Sequence, residues 1–213
     1  MIRILIADDH AIFREGLKQI LEDVPDVVVA GDVSRGQDVL DKIEKNDYDL
    51  VLLDIAMPGL NGLETLKLLK GRKPGMRVLI LSMYPEEQYA VRAIKAGASG
   101  YITKASASEE LLLAIRKVTR GGRYISASIA ESLLFDLDPK EDRPIHQRLS
   151  DREYQVFCMI ARGKTVGDIA NELFLSVKTV STHRVHILEK MRMKNNAELT
   201  NYAIKNNLVS LTD

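Results

Sequence analysis

The sequence predicts an α/β protein: a doubly wound, five-stranded parallel sheet followed by a small all-α helix-turn-helix domain. Three observations carry this. Short apolar runs alternate with helical patterns up to about residue 120. Those runs are apolar on both faces, as in a sheet covered by helices on either side. From Leu149 onward the pattern is helical throughout. The strands are read at 2–7, 27–33, 49–53, 77–82 and 99–102, and the helices that alternate with them at about 12–22, 35–46, 61–70, 86–96 and 107–119. Such β/α alternation winds helices onto both faces of a parallel sheet. Pro85 stands near the start of the fourth helix, Ser106 with Glu109 forms a capping-box pattern before the fifth, and Gly97 and Gly121 follow helices where a left-handed residue is expected.

Gly121 and Gly122 break the fifth helix, and residues 126–135 form a short helical pattern with Ile129, Leu133 and Leu134 on one side. The stretch 136–144 is charged, punctuated by Pro139 and Pro144 and poor in apolar residues, which is linker composition. Three regions follow: 1–120, a connector at 121–147 and a second domain at 148–213. In the last, Ser150 with Glu153 caps a helix to about Ala161, Gly163 ends it, Thr165 with Asp168 caps a short helix to about Leu173, and Ser176 caps a longer one at about 177–191. A final helix covers about 196–206.

Thirty basic and thirty acidic residues cancel over the 213 positions. Their distribution is uneven: from Arg148 to the end, ten Lys and Arg face seven Asp and Glu, a modestly basic balance that fits nucleic-acid binding. No apolar stretch approaches the ~20 residues of a membrane span. The N-terminus reads as a strand rather than a signal peptide. A lone cysteine, Cys158, excludes an intramolecular disulfide and fits a reducing cytosol; it reads as a small buried hydrophobe on a helix.

The chemistry sits at the strand ends. Asp8 and Asp9 end the first run, Asp54 the third and Ser82 the fourth, and Lys104 follows the fifth. In an open parallel sheet the carboxyl ends of the strands share one rim, where ligands bind. Singly, such residues are caps, turn formers or solvated charges. Together they form a group able to hold Mg²⁺, which takes hard oxygen ligands, and a phosphoryl group. Asp9 and Asp54 supply carboxylates, Asp8 stands beside them, and the Ala56 carbonyl adds a neutral oxygen. Asp54 can act as nucleophile, Lys104 can stabilise phosphoryl charge, and Ser82 can donate a hydrogen bond to the product.

The segments 5–10 (Leu-Ile-Ala-Asp-Asp-His), 52–62 (Leu-Leu-Asp-Ile-Ala-Met-Pro-Gly-Leu-Asn-Gly), 81–82 (Leu-Ser) and 100–104 (Gly-Tyr-Ile-Thr-Lys) resemble, in order, the motifs of the receiver domain of bacterial response regulators. The resemblance covers residues 1–120. It implies phosphorylation of Asp54 by a phosphohistidine on a sensor histidine kinase, with Mg²⁺ at Asp8, Asp9 and Asp54. It makes Ser82 and Tyr101 a switch pair, in which Ser82 moves toward the phosphoryl group and the ring turns inward. Pro58 and Gly62 would shape the loop after Asp54, and His10 would orient its own loop. In that family the side chains two past the phosphorylated Asp and two past the switch Ser tune hydrolysis of the acyl phosphate. Here they are Ala56 and Tyr84, neither of which can orient a water as an acid or amide does.

In the second domain a short helix, the turn Phe174-Leu175-Ser176 and a longer helix make a helix-turn-helix pattern. Val177, Val180, Ile187, Leu188 and Met191 are expected to face the core. Lys178, Thr179, Ser181, Thr182, Arg184 and Val185 face outward, where small groups can meet base edges and Lys and Arg can meet phosphates. Backbone N–H groups near Ser176 also favour a phosphate. The segments 149–153, 160–164, 168–173, 176–184 and 195–200 resemble the LuxR-type DNA-binding domain, so the whole chain is similar to the NarL/FixJ group of response regulators. That resemblance places base contacts mainly at Ser181, Thr182 and Val185, and a homodimer seam on the last helix at Asn196, Leu199, Tyr202 and Ala203. The expected function is a cytoplasmic transcription regulator that is not an enzyme and binds double-stranded DNA as a dimer when phosphorylated. Three rivals stand beside it. An Asp-based phosphatase would need an acid/base carboxylate close after Asp54, where Ile55 and Ala56 supply none. A dinucleotide-binding domain would need a Gly-rich turn where Asp8-Asp9-His10 stands. A regulator with a vestigial acidic site would not need the complete set of site residues.

Overall fold

The computed structural model describes residues 1–106, 108–135 and 144–209. They divide into two compact units, Met1–Glu131 and Ser132–Asp213. In the first unit, β1 (Ile2–Ala7), α1 (Ala11–Glu22), β2 (Val27–Val33), α2 (Gly36–Lys45), β3 (Leu50–Leu53), α3 (Gly62–Arg72), β4 (Arg77–Ser82), α4 (Glu86–Lys95), β5 (Gly100–Thr103) and α5 (Ser108–Thr119) alternate. The strands pair in parallel in the order β2-β1-β3-β4-β5. The expected five-stranded, doubly wound sheet is therefore present.

Alternation along each strand splits the core into two layers. Ile4, Ile6, Leu50, Leu52, Leu79, Leu81 and Ile102 pack with Leu17 and Leu21 of α1 and Leu111, Ile115 and Val118 of α5. The intervening residues Leu5, Val51, Val78, Ile80 and Tyr101 are also buried, as are Leu40, Ile43, Leu66, Leu69, Ala90 and Ala93 of α2, α3 and α4. Burial on both faces explains why the strands read as continuous apolar runs. The register sets Ala7 beside Leu53 and Leu53 beside Ile80. The residues that follow, Asp8 and Asp54, thus leave the sheet side by side, and the Asp54 N–H donates to the Ala7 carbonyl (2.8 Å).

Gly97 and Gly121 take φ of 100° and 88° after α4 and α5, the expected left-handed stops. One cap differs from expectation. α5 begins at Ser108, which leaves Ser106 one residue outside the cap position; its hydroxyl pairs with that of Thr103 (3.1 Å). Residue 107 and the charged linker at 136–143 lie outside the described residues.

The connector also differs. Its first part is held to the first unit, because Tyr124 extends the open edge of β5: the Tyr101 N–H donates to the Tyr124 carbonyl (3.2 Å) and the Tyr124 N–H to that of Ser99 (2.9 Å). The Ser126 hydroxyl bonds Glu86 (2.6 Å) and Tyr124 bonds Glu110 (3.1 Å). α6 (Ala127–Phe135) follows, with Ile129 buried.

In the second unit a 3₁₀ turn at Ile145–Arg148, absent from the sequence reading, precedes α7 (Asp151–Ala161), α8 (Val166–Glu172), α9 (Val177–Met191) and α10 (Asn196–Lys205). α7 packs against α9 and α10, and Cys158 is buried on it. The capping boxes at Ser150/Glu153 and Thr165/Asp168 are formed, and Ser176 caps α9 by accepting from the Thr179 N–H (3.0 Å).

Glu153 also holds Lys190 of α9, at 2.8 and 2.6 Å. Burial alone would raise its pKa, but hydrogen bonds from Lys190 and Ser150 outweigh this and leave it below the ordinary 4.5. A lowered carboxylate pKa stabilises the fold above the unfolded value, and that stability is lost as pH falls through the folded one. Lys190→Met is therefore expected to weaken the unit near neutral pH and to flatten its loss below about pH 4.5 in urea titrations. The exposed end of Lys190 limits the cost to about 1 kcal/mol.

Candidate functional site

At the carboxyl rim of the sheet, one ligand atom from each of Asp8, Asp9, His10 and Asp54 lies within 4.8 Å of the others. Asp8 and Asp54 are 2 % and 1 % exposed. Asp54 Oδ1 accepts from the Ile55 N–H (2.8 Å), and its Oδ2 lies 3.1 Å from Lys104 Nζ. Lys104 Nζ also lies 2.5 Å from Asp8 Oδ2. Asp8 Oδ1 accepts from the His10 N–H (2.9 Å), and His10 Nδ1 stands 2.8 Å from Asp9 Oδ1. His10 thus lies on its own loop and against both acids, while its ring remains largely exposed.

β5 delivers Lys104. Its backbone N–H donates to the Ser82 carbonyl (2.7 Å), joining the ends of β4 and β5. Ser82 is fully buried, and its hydroxyl accepts from the Tyr84 N–H (3.1 Å). The Tyr101 ring is also fully buried, with its OH donating to the Tyr84 carbonyl (2.8 Å). The ring therefore already occupies the inward position expected of a switched state. Burial, the dominant cause, pushes its phenol pKa well up and keeps it a donor. Tyr84 is half-buried and tilts against Tyr89 at 4.8 Å between ring centroids.

Ala56 is partly exposed in the loop after Asp54. That loop returns tightly: the Gly62 N–H bonds the Ile55 carbonyl (3.0 Å), and a Cβ on Gly62 would lie 2.0 Å from the Asp54 carbonyl oxygen. Asn61 then caps α3 in a capping box with Glu64, a pattern of the same local type as those at Ser150 and Thr165.

The charges are unbalanced in favour of a cation. Three carboxylates face one ammonium, and two carboxylate oxygens, Asp9 Oδ1 and Asp54 Oδ2, are buried without an aligned hydrogen-bond donor. Their lysine and histidine neighbours are close but lack hydrogen-bond angles. Burial is the main cause that raises the Asp54 pKa from 3.8 to about 6; Lys104 pulls it down, and Asp8 and Asp9 push it up. Buried oxygens of one sign, with a free lone pair on two of them, are compatible with a hard divalent cation such as Mg²⁺.

Two participants were not foreseen from sequence. Arg14 Nη1 donates to the Asp8 carbonyl (2.6 Å) while its Nε bonds Asp32 (3.2 Å), fixing the acidic loop to the end of β2. The Phe13 ring lies under Lys104, 4.7 Å from Nζ to its centroid. Both reach the rim from α1, and only the fold brings them there.

In the second unit, α8, the turn and α9 have helix-turn-helix order. Ser176, Lys178, Thr179, Ser181, Thr182 and Val185 are exposed on α9, and Arg184 is half-buried. Four of these side chains are engaged locally: Ser176 Oγ lies 2.8 Å from Thr179 Oγ1, the Thr182 hydroxyl donates to the Lys178 carbonyl (3.0 Å), and Arg184 Nε donates to Asn196 Oδ1 (2.7 Å). The Thr182 hydroxyl, its proton spent on the helix, keeps its lone pairs and methyl free of that bond.

Two expectations need correction. Val177 does not face the core: as the first residue of α9 it is 58 % exposed, while Val180, one turn on, and Ile187 and Met191 are buried as expected. Leu199 and Ala203 are each 0 % exposed in the unit's interior, which removes their side chains from any seam with a second copy. Asn196 is exposed, and Tyr202 is half-buried with its OH on His146 Nδ1 (3.0 Å).

The family description "Response regulator receiver domain" matches residues 4–116, and "Bacterial regulatory proteins, luxR family" matches residues 147–203. The chain is 35 % identical to response regulator UvrY of Escherichia coli (strain K12) over 209 residues, covering 98 % of this chain and 96 % of that protein. It is 37 % identical to response regulator GacA of Pseudomonas aeruginosa over 210 residues, covering 98 % of each. Among solved structures it is similar to RcsB from Salmonella enterica serovar Typhimurium bound to promoter rprA in the presence of phosphomimetic BeF₃⁻, with a TM-score of 0.64, 25 % identity and coverage of 95 % of this chain and 98 % of that one. It also resembles response regulator ChrA of a heme-sensing two-component system, with a TM-score of 0.52, 31 % identity and 98 % coverage of each. With a receiver sheet, an acidic rim and a LuxR-type reader in one chain, this protein belongs to the NarL/FixJ group of two-component response regulators, the DNA-binding transcription regulators that include UvrY and GacA.

Proposed function

We propose that residues 1–120 accept a phosphoryl group on Asp54 from a histidine kinase and that residues 148–213, joined through 121–147, answer by binding DNA more tightly. The observation that carries this reading is the convergence of Asp8, Asp9, Asp54 and Lys104 at one buried rim, with unsatisfied carboxylate oxygens facing inward. A carboxylate oxygen of Asp54 attacks phosphorus, the P–N bond to the donor imidazole breaks, and the imidazole keeps the electron pair and takes up a proton. Asp8, Asp9 and Asp54, with the Ala56 carbonyl, would hold Mg²⁺, which supplies positive charge to the phosphoryl oxygens. Lys104 would supply a second positive charge to those oxygens. Ser82, released from the Tyr84 N–H, is placed to donate to the product, and Tyr101 keeps the inward position that such a movement permits.

The acyl phosphate should persist. Ala56 offers no group to orient a water, and Tyr84 is held against Tyr89. The expected half-life in purified, Mg²⁺-loaded protein is minutes to hours, read by intact mass after removal of the donor; decay within seconds contradicts this assignment of Ala56 and Tyr84.

On the reader, Ser181, Thr182 and Val185 are assigned to base edges, and Ser176, Lys178, Thr179 and Arg184 to phosphates. A two-fold dimer would meet half-sites about one turn of DNA apart, with Asn196 and Tyr202 at the seam. RcsB bound to a promoter beside a phosphomimetic supports this order of events. No described helix is long and apolar enough to cross a membrane, in keeping with the proposed place of action in the cytoplasm. The test is selection from random DNA by gel shift, with and without acetyl phosphate and Mg²⁺, followed by variants on the selected site. Arg184→Ala is expected to weaken binding to all sequences, and Thr182→Ala to relax preference at particular base pairs by about 1–3 kcal/mol. Uniform loss in both variants contradicts that division of labour.

A further inference from the structure

We infer that Phe13 is a positioning residue for phosphoryl uptake, holding the Lys104 ammonium in place through the face of its ring. The inference rests on the reading of the acidic rim given above. Phe13 is the third residue of α1, partly buried and packed against the core layer formed with α5. Its ring centroid lies 4.7 Å from Lys104 Nζ, within the range of cation–π attraction. The Lys104 side chain is 2 % exposed, so water does not screen this contact as it would at the surface.

The remaining neighbours of Nζ explain why the ring matters. They are Asp8 Oδ2 at 2.5 Å and Asp54 Oδ2 at 3.1 Å. Both oxygens belong to the set proposed for the metal, so a divalent cation competes with the ammonium for the same charge. Neither contact has hydrogen-bond alignment. The ring is the one of these three neighbours that carries no formal charge and cannot be ligated or protonated away. It anchors the ammonium while the carboxylates are drawn elsewhere, and so holds a positive charge beside the place where phosphoryl charge develops. Losing that placement is expected to slow uptake roughly tenfold.

Core packing alone would make Phe13 look important in any truncation, so the test varies the charge of the ring face rather than its size. Phe13 is replaced in the full chain by mono-, di- and trifluorophenylalanine, alongside Phe13→Tyr and Phe13→Leu. Initial phosphoryl uptake from acetyl phosphate with Mg²⁺ is read by intact mass. Separately, the ε-methylene resonance of Lys104 is followed by NMR in metal-free protein. The expected result is a stepwise fall in rate with fluorine number, near-normal uptake in Phe13→Tyr, roughly tenfold slower uptake in Phe13→Leu, and a ring-current shift of Lys104 that vanishes in Phe13→Leu. A flat fluorine series with uptake still dependent on Asp54, or no ring-current shift in the metal-free protein, overturns the role of Phe13 alone. Uptake that survives Asp54→Asn overturns the reading of the rim, and the role of Phe13 with it.

Discussion

Asp54→Asn protein incubated with acetyl phosphate and Mg²⁺ is expected to gain no phosphoryl mass, under conditions in which the wild type gains one group. The amide cannot form the acyl phosphate, and the rim holds no other nucleophile in the same position. The substitution has a second expected effect of opposite sign. Burial, opposed by Lys104 and assisted by Asp8 and Asp9, raises the Asp54 pKa from 3.8 to about 6. For a folded-state pKa above the unfolded one, the favourable contribution is complete below the unfolded value and is lost as pH rises through the folded value. Near neutral pH the metal-free native state therefore carries a buried, ionised carboxylate at a cost of roughly 3 kcal/mol. Asp54→Asn removes that cost. Its melting temperature in EDTA should exceed that of the wild type at about pH 7.5, with the gap closing below about pH 4. Mg²⁺ should narrow the gap by stabilising the wild type, since only a ligand that binds the native state raises stability.

Gly62→Ala is expected to damage both stability and phosphoryl uptake. The added Cβ would lie 2.0 Å from the Asp54 carbonyl oxygen and 2.8 Å from the Asp54 carbonyl carbon and the Ile55 Cα. All three are backbone atoms, so no side chain can swing aside. The loop must shift, at an expected cost of about 1–3 kcal/mol, and Asp54 shifts with it. Misplacing a reacting group by about 1 Å can cost about a hundredfold in rate. Gly71→Ala is the control. It lies in α3 with no atom within 4 Å of its added Cβ, and should stabilise the helix by about 0.5–1 kcal/mol without changing uptake. Chemical denaturation and intact-mass kinetics on the two variants separate the outcomes.

How much of this was legible in the chain follows from which interactions are local. Strands buried on both faces announce themselves as apolar runs, and residues that end such runs must share a rim in a parallel sheet. Asp8, Asp9, Asp54, Ser82 and Lys104 could therefore be brought together without coordinates. Caps at Ser150, Thr165 and Ser176 are legible because each is a local hydrogen-bond pattern, and the equivalent at Asn61 and Glu64 is equally local. What stayed hidden depends on tertiary placement. Tyr124 extends the sheet by a single paired residue, too short for any period-2 signal, so its segment read as connector. Phe13 and Arg14 occupy ordinary positions on α1, and nothing local reveals that one meets Lys104 and the other the Asp8 carbonyl. Val177 obeys the helical pattern but, as the first residue of α9, is left exposed. Leu199 and Ala203 were placed at a seam through family resemblance, although their apolar character fits equally the interior where they lie.

The central claim is that phosphorylation of Asp54 raises affinity for DNA, and the most direct measurement is the dissociation constant of the full chain for a selected operator, by fluorescence anisotropy at fixed salt, before and after acetyl phosphate with Mg²⁺. The account predicts tightening of about 5–150-fold for the wild type, the range of a coupling of ~1–3 kcal/mol, and no change for Asp54→Asn. Equal tightening in both proteins, or unchanged affinity in a wild type fully phosphorylated by mass, would contradict it.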